Sequence, residues 1–473
     1  MKRTLIVFLL VNLMLSACAP VSAPTPTPAP SATPLPTTTA TPTSTPTATP
    51  TTTPTPIPTI QVGDLSVPDP RATNPELFDL RNPDAPIPQF VNAMKMAGIE
   101  ITGEQVEQGI TYEALKDKEG NPFVVAVYNL NPSLLPQEYR ALAGPIPLMI
   151  AEKGENGWGW KEATLKNIGA LYGIDMGGTM SYLSGKDPRL TELMRNQFSI
   201  YWTENDLKWA NIESTEGTLN PLRRNNINME AVSKFKNEFS MQLVGHSIIN
   251  WESYPNYVKK ESDPGKLLEM MQNHIKLVMQ SFPDIDIWEI VNEYHPNGPN
   301  PDWLRDRVGN YVIPAFEAAK LADPSKKRIL SDNSLPDAAL ITELKQKGLI
   351  DGIAVHFHLD EKGIPPGYLE ALRSYGLPIY ISELDINIKN LDPNDPSRFI
   401  KQAAIAYNVG RLCRTLGPNC VAINQWNIGD KNSWYETGGA PKERSSPHAD
   451  ATFFSDDLSP KLSFFALIKG LIE

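Results

Sequence analysis

Short runs of β-branched and large apolar residues alternate with amphipathic stretches from about residue 165 to the end of the chain. Each apolar run is too short for a helix and is bounded by polar or turn-forming residues, which is typical of buried strands. Strands that alternate with helices favour βα units and a parallel sheet. The eight candidate strands are Ile168–Met176, Ser199–Glu204, Gln242–Ile249, Ile285–Asn292, Arg328–Asp332, Gly352–His358, Pro378–Leu384 and Val421–Trp426.

The longer stretches between these runs carry the spacing of helices. The predicted helices include Pro264–Ser281, Trp303–Ala322, Asp337–Lys347, Arg398–Leu416 and Leu462–Leu471. Eight strands with intervening helices over about 310 residues are what a (β/α)8 barrel requires. An open, doubly wound sheet is the competing arrangement, but no glycine-rich nucleotide-binding turn follows the first strand. We therefore predict an α/β fold with a TIM barrel over residues 161–473.

The first 59 residues have the character of a leader and a tether. Lys2 and Arg3 precede an apolar run that ends in small residues before Cys18. This pattern predicts an export signal over residues 1–18 with a lipobox, and hence acylation of Cys18. A secretory signal without acylation is the alternative, and both place the mature protein outside the cytoplasm, lipid-anchored at the cell surface or secreted. Residues 19–59 are almost entirely Pro, Thr, Ser and Ala, which predicts a disordered linker.

Residues 60–160 form a further region whose role the sequence does not indicate. Residues 123–128 follow a turn-like segment and resemble a hairpin strand, and residues 146–150 resemble another. We expect a small α+β region beside the barrel.

The net charge limits the classes of partner that the protein is expected to bind. A net charge of −11 would repel nucleic acids and anionic lipids, so we predict no nucleic-acid partner and membrane attachment only through the lipid anchor. A neutral polysaccharide is insensitive to this charge.

Cys413 and Cys420 flank a loop at Gly417 and predict a disulfide in an oxidising compartment, with two reduced core thiols as the alternative. No metal or cofactor is predicted, and we expect a monomer.

Two glutamates follow apolar strands at the expected mouth of the barrel. Glu293 ends the segment Trp288-Glu-Ile-Val-Asn-Glu293, and Glu383 lies in Tyr380-Ile-Ser-Glu-Leu-Asp-Ile386. Chemistry in such barrels is located at the carboxyl ends of the strands. Two facing carboxyl groups are the minimum for cleaving a glycosidic bond, because one protonates the leaving oxygen and the other attacks or activates water.

With these segments, residues 164–473 resemble glycoside hydrolase family 10, which is typified by endo-1,4-β-xylanases. The two glutamate segments are similar to the acid/base and nucleophile segments of that family. The other similar segments, in the family's order, are Thr203–Trp209, Gly245-His246, Asp351–Leu359, Gln425-Trp426 with Asp430–Trp434, and Phe454–Lys461. Cys413 and Cys420 also fall where some family members carry a disulfide.

The resemblance implies a retaining hydrolase with Glu293 as general acid/base and Glu383 as nucleophile. His358 and Asp385 complete the implied catalytic set, and we expect a chain of contacts from Asp385 through His358 to keep the pKa of Glu383 low. The charge of Glu383 is expected to raise the pKa of Glu293. The implied substrate-binding residues are Glu204, Asn205, Lys208, His246, Asn292, Trp426 and Trp434.

Several positions depart from the family pattern. Asn250 and Ser253 stand where the family has a tryptophan and a glutamine, and Trp251 is displaced by one position. His356 replaces the usual glutamine, and the fifth strand ends in an altered segment that begins at Ser331. We predict a retaining endo-1,4-β-xylanase. The alternatives are a retaining β-glycosidase of altered specificity, and a surface-anchored carbohydrate-binding protein on a degenerate barrel.

Overall fold

The computed structural model describes residues 56–180, 187–220, 234–294, 302–439, 442 and 445–473. The predicted signal with Cys18, and the predicted linker up to residue 55, lie outside the described residues. Residues 56–473 form one compact unit. Among the helices of the described ranges, none combines the length and the apolar character that a membrane span needs.

Eight parallel strand positions close into a barrel, which confirms the predicted fold class. The last position pairs with the first, and the third position consists of two short strands, Gln242–Gly245 and Ile249–Asn250, which both pair with the strand Ile287–Asn292. The barrel strands are β7 (Asp175–Met180), β8 (Ile200–Thr203), β9 (Gln242–Gly245), β10 (Ile249–Asn250), β11 (Ile287–Asn292), β12 (Lys327–Asp332), β13 (Gly352–Leu359), β14 (Ile379–Ile386) and β15 (Cys420–Gln425).

A separate cluster of buried apolar side chains comes from the barrel strands. Trp202 and Tyr380 meet edge to face within it, with ring centroids 6.1 Å apart. The remaining members are Ile200, Val244, Ile287, Ile329, Ala354 and Ala422. TIM barrels fill their interior with such layers, so the cylinder is a packed core and chemistry is confined to its rim.

The helices agree with most of the predicted boundaries. Those over Pro264–Ser281 and Arg398–Leu416 have the predicted bounds, whereas the segment Trp303–Ala322 is divided at Gly309, whose φ is 72°. The helices are α1 (Pro70–Thr73), α2 (Pro86–Met96), α3 (Gly103–Gln108), α4 (Leu165–Tyr172), α5 (Pro188–Gln197), α6 (Trp209–Ile212), α7 (Asn256–Lys259), α8 (Pro264–Ser281), α9 (Arg305–Val308), α10 (Val312–Ala322), α11 (Ala338–Gln346), α12 (Tyr368–Tyr375), α13 (Arg398–Leu416), α14 (Trp434–Thr437) and α15 (Leu462–Ile472).

The predicted first strand, Ile168–Met176, is wrong in its placement. Most of that segment belongs to helix α4, and the first barrel strand begins only at Asp175. Thr164 caps the helix by accepting a hydrogen bond from the backbone of Asn167, and Gly173 ends it at a φ of 69°. A polar cap before the apolar run and a glycine after it define a helix, and these two signals outweigh the β-branched content of the run.

The region before the barrel contains a four-stranded antiparallel sheet and three short helices. Its strands are β1 (Thr59–Val62), β2 (Leu65–Pro68), β3 (Ile110–Lys116), β4 (Pro122–Leu130), β5 (Gly144–Gly154) and β6 (Gly157–Glu162), of which β3 to β6 form the larger sheet. It packs against the last helix, where the rings of Phe90 and Phe465 meet at 5.1 Å. Lys469 also donates a hydrogen bond to the carbonyl of Pro145.

Candidate active site

The two glutamates lie at or near the carboxyl ends of strands and have unusual backbone conformations. Glu293 directly follows β11, and Glu383 lies within β14 beside a break in the pairing with β15. Their φ angles are 57° and 48°, in the left-handed region that side chains other than glycine rarely adopt. Strained conformations persist only where the surrounding structure holds them, and they cluster at functional sites.

Glu383 is linked to Asp385 through a histidine. Nε2 of His358 lies 2.9 Å from Glu383 Oε2, and its Nδ1 lies 2.7 Å from Asp385 Oδ2. Burial by itself raises the pKa of Glu383, but the charges and hydrogen bonds of the nearby histidines outweigh burial and lower it. For His358 the direction is reversed. Burial lowers its pKa, whereas Asp385 and Glu383 outweigh burial and raise the pKa to about 9. The structure therefore brings together the three residues of the expected chain, with the carboxylate of Glu383 in its ionised form.

Asp385 is held by three donors. Besides His358, the indole Nε1 of Trp434 and the hydroxyl of Tyr435 each donate a hydrogen bond of 2.9 Å to its carboxylate. Asp385 is almost completely buried. A buried carboxylate needs such partners, because an unpaired charge in the interior is costly. Helix α14, which begins at Trp434, therefore holds Asp385 in place at the start of the contacts that lead to Glu383.

Glu293 has partners that the sequence did not indicate. Nε1 of Trp251 donates to its Oε2 at 2.6 Å, and Nδ1 of His356 lies 3.3 Å from its Oε1. Burial raises the pKa of Glu293, but the hydrogen bond and charge of His356, with the bond from Trp251, lower it to about 2. The expected upward shift is therefore wrong for this chain. The cause is His356, which adds a positive charge where the family usually has an uncharged glutamine.

A third glutamate lies beneath the pair. Glu289, on β11, is fully buried and accepts hydrogen bonds from Trp202 at 3.1 Å and His246 at 2.8 Å. Burial raises its pKa, and the charges and hydrogen bonds of His246 and His356 reverse this and lower it. His246 also lies 3.8 Å from Glu383 Oε1. The site is thus a network of four carboxylates and three imidazoles, and its members were only partly recognised as candidates.

Of the other predicted binding residues near these groups, Asn292 and Trp426 are buried and Trp434 is half-buried. Oδ1 of Asn292 accepts a 2.8 Å hydrogen bond from Ser331, one of the residues that depart from the family pattern. The ring of Trp426 meets that of His246 edge to face at 5.2 Å, and the ring of Trp434 lies 4.7 Å from that of His358. These contacts bring both predicted aromatic residues against the carboxylate network.

The remaining binding candidates follow the carboxyl end of strand β8. Glu204 and Asn205 follow β8 and are half-buried, with a 3.4 Å hydrogen bond between their side chains, and Lys208 immediately precedes helix α6. Cys413 and Cys420 form a disulfide.

Two sets of three side chains have the spacing of possible metal ligands. His356, His358 and Glu383 form one set, and His246 and Glu289 form the other with the same Glu383. In each set the ligand atoms lie within 4.8 Å of one another. Most of these atoms already take part in the hydrogen bonds and ion pairs described above, which accounts for their proximity without an ion.

Three contact residues were missed at the sequence level. Glu289 is a charged residue among the apolar residues of β11 that precede Asn292, and this exception was an available signal. Trp251 is shifted by one position from the family pattern, and this shift does not indicate a bond to Glu293. Tyr435 is adjacent to a recognised motif, but nothing in the sequence indicates that its hydroxyl reaches Asp385 across the site.

The protein is a TIM barrel with a buried network of carboxylates and imidazoles at the ends of β11, β13 and β14. This combination places it among the barrel hydrolases. Residues 164–470 match Glycosyl hydrolase family 10, and the chain belongs to this family.

Relatives of this chain include proteins named as a xylanase and as an exoglucanase. Endo-1,4-beta-xylanase A of Thermoanaerobacterium saccharolyticum is 26% identical over 317 residues, which cover 61% of this chain and 26% of that protein. Exoglucanase XynX of Acetivibrio thermocellus is 26% identical over 290 residues, which cover 55% and 26%. The chain thus spans 26% of the length of each of these relatives.

Solved structures match the barrel over nearly their whole length. Xylanase 10B from Thermotoga petrophila RKU-1, in complex with xylobiose, is 26% identical with a TM-score of 0.59, covering 66% of this chain and 98% of that chain. Xylanase 10B from Thermotoga maritima is 26% identical with a TM-score of 0.58, covering 65% and 98%.

Proposed function

We propose that the protein is a retaining endo-1,4-β-xylanase that hydrolyses β-1,4-xylosidic bonds. The observation that carries this proposal is the pairing of Glu293 and Glu383 through His356. Nδ1 of His356 is 3.3 Å from Glu293, and its Nε2 is 3.2 Å from Glu383. Two carboxyl groups in one enclosed site meet the chemical requirement for glycosidic cleavage.

The roles follow from the different partners of the two glutamates. Glu383 is kept ionised by His358, so its carboxylate attacks the anomeric carbon as the glycosidic carbon–oxygen bond breaks. Glu293 gives its proton to the leaving oxygen. In the second step water attacks the anomeric carbon, Glu293 accepts the proton of that water, and the bond to Glu383 breaks. The net change is addition of one water across the glycosidic bond.

The surrounding residues supply binding. The amide of Asn292, oriented by Ser331, is suited to hydrogen bonding with the hydroxyl beside the anomeric carbon, and Trp426 and Trp434 offer aromatic surfaces for the sugar ring. Glu204, Asn205 and Lys208 are the polar side chains for the neighbouring sugar. Support for xylan as the substrate comes from relatives named as xylanases and from a structure of one with xylobiose.

A second candidate is a retaining β-glycosidase of altered specificity. Trp251 donates a hydrogen bond to Glu293, while Asn250 stands at the usual tryptophan position. One relative is named as an exoglucanase. These observations favour a binding surface that differs from that of a standard xylanase while leaving the two glutamates in place.

The test is a substrate panel with wild-type protein and Glu383→Ala. We expect hydrolysis of xylan above that of β-glucans, β-configured sugar as the first-formed anomer by proton NMR, and no turnover by the variant with its thermal unfolding preserved. Faster cleavage of β-glucan would favour the second candidate. Equal turnover by the variant and the parent would exclude the role of Glu383.

We also propose that the enzyme acts at the cell surface, attached through Cys18. The lipobox-like end of the leader and the Pro/Thr-rich segment after it support this placement. Expression in a bacterial host with labelled fatty acid tests it. Label is expected on the wild type and not on Cys18→Ser, and an unlabelled wild type would contradict the proposal.

A further inference from the structure

His356 occupies an unusual position among three carboxylates. Its Nδ1 faces Glu293 at 3.3 Å, and its Nε2 faces Glu383 at 3.2 Å and Glu289 at 3.7 Å. The side chain is completely buried. Its ring is also 6.0 Å from that of His358, the other titratable group on its own strand.

The remaining charged groups around His356 come from neighbouring strands. His246 directly follows β9. It is hydrogen-bonded to Glu289, and its Nδ1 is 3.8 Å from Glu383. Asp332 ends β12, which pairs with β13, and is buried as well. Carboxylates outnumber imidazoles in this cluster, so the electrostatic balance favours a proton on His356.

A histidine can keep its contact with Glu293 in either protonation state of the imidazole. A protonated imidazole donates from both ring nitrogens, whereas a neutral one donates from one nitrogen and accepts at the other. The neutral form can therefore accept at Nδ1 a hydrogen bond from a protonated Glu293. Both arrangements keep the 3.3 Å contact and hold the same number of protons.

We propose that His356 is a positioning residue that shares one proton with Glu293, so that the pair, and not Glu293 alone, stores the proton for the leaving group. This inference rests on the proposed function and deepens it. When interacting groups titrate as a pair, the apparent pKa values belong to the pair. The pair is therefore protonated once over a wider pH range than a lone carboxyl would be.

The proton balance is closed over one turnover. In the resting pair the proton is on His356 Nδ1 and Glu293 is ionised. Transfer across the 3.3 Å contact gives neutral His356 and protonated Glu293, which then protonates the leaving oxygen. In the second step Glu293 accepts a proton from the attacking water, and its return to His356 restores the starting state.

The pH dependence of His356→Gln, measured with two substrates, tests the proposal. Glutamine keeps hydrogen-bonding capacity but cannot hold the proton. For xylotetraose, whose leaving group needs protonation, we expect the alkaline limb of kcat/KM to move about one pH unit lower or more. For 2,4-dinitrophenyl β-xylobioside, whose leaving group needs no proton, that limb should not move. His448→Gln, at an exposed histidine, is the matched control and should behave as the wild type.

Two outcomes would overturn the proposal. An unchanged alkaline limb for xylotetraose would make His356 a structural residue. An equal shift for both substrates would show that this limb does not report the proton of Glu293.

A measurement independent of turnover separates this inference from the proposed function. The chain has six histidines, so nitrogen-15 NMR of labelled imidazoles is practicable. We expect His356, assigned from His356→Gln, to be protonated at pH 7 and to titrate at lower pH in Glu293→Gln. A neutral His356 at pH 6, or no change in Glu293→Gln, would overturn the shared proton, whereas absence of cleavage of both xylosides would overturn only the proposed function.

Discussion

Glu383 and Glu293 share one network, but their nearest partners differ. Glu383 is hydrogen-bonded to His358, which Asp385 holds in its charged form. Glu293 instead accepts a hydrogen bond from Trp251 and contacts His356. His356 contacts both carboxylates, so at the residue scale the different roles of nucleophile and acid depend on the nearest partner of each, His358 for Glu383 and Trp251 for Glu293.

Asp385→Asn should move the acidic limb of kcat/KM to higher pH. Burial lowers the pKa of His358, whereas Asp385 and Glu383 together raise it to about 9, so loss of the Asp385 charge lowers the pKa of His358 and weakens its positive charge beside Glu383. The pKa of Glu383 then rises, and its ionised form is lost at higher pH as the pH falls. We expect a shift of about one pH unit, hence about tenfold lower kcat/KM on the acidic side. An unmoved acidic limb would contradict this coupling.

Tyr435→Phe should lower the free energy of unfolding by about 1 kcal/mol, because it removes one of the three hydrogen bonds to buried Asp385. Urea unfolding measures this change. Tyr139→Phe, at a half-buried tyrosine of the region before the barrel, is the control. An equal loss of unfolding free energy in this control would mean that the hydrogen bond to Asp385 does not account for the loss in Tyr435→Phe.

The sequence supported part of this site and missed the rest for a physical reason. Glu383, His358 and Asp385 were recognisable because their motifs end neighbouring strands. Glu289 and Tyr435 join them only through contacts across the barrel, which local patterns do not encode. The pKa of Glu293 was predicted in the wrong direction because the sequence showed His356 as a replacement but not its distance to the carboxylate.

At the scale of elements, strands were predicted well where an apolar run stood alone. β11 to β15 agree with their predicted positions to within two residues at either end, because each is a buried run between polar boundaries. The first strand was misplaced because α4 is equally apolar, and only its cap at Thr164 and the glycine at 173 distinguish it. The third was predicted as one strand, but the structure divides it into β9 and β10.

The disulfide joins the end of helix α13 to the start of β15. It closes a short loop and so removes conformational freedom mainly from the unfolded chain. The double variant Cys413→Ala/Cys420→Ala should lose about 2 kcal/mol of unfolding free energy, measured by urea denaturation. Wild type with reductant should show a comparable loss, and no loss in either sample would contradict a structural role for the bond.

At the scale of the whole molecule, the region before the barrel is part of the folded unit. Helix α15 is buried along almost its whole length, and Phe90 packs on its Phe465. The strand-like segments predicted a small α+β region beside the barrel, but no local signal shows that the last helix needs a cover on this side. The contact is between residues far apart in the sequence, which periodicity cannot predict.

Phe90→Ala should therefore destabilise the barrel and not only its own region. Truncating a fully buried phenylalanine costs about 3 kcal/mol or more. We expect thermal loss of hydrolytic activity at a lower temperature, together with loss of structure in a single transition. Leu134→Ala, at an exposed leucine, is the control and should leave this temperature unchanged. An unchanged inactivation temperature in Phe90→Ala would mean that the barrel is stable without this contact.

Mass spectrometry after treatment with an activated 2-deoxy-2-fluoro-xylobioside tests the central claim most directly. The fluorine slows the second step, so a retaining enzyme accumulates the covalent intermediate. The account predicts a stoichiometric increase by one fluoroxylobiosyl group, located by peptide mapping on Glu383 and absent in Glu383→Ala. A label on another residue, or release of the leaving group by an active enzyme without any adduct, would contradict it.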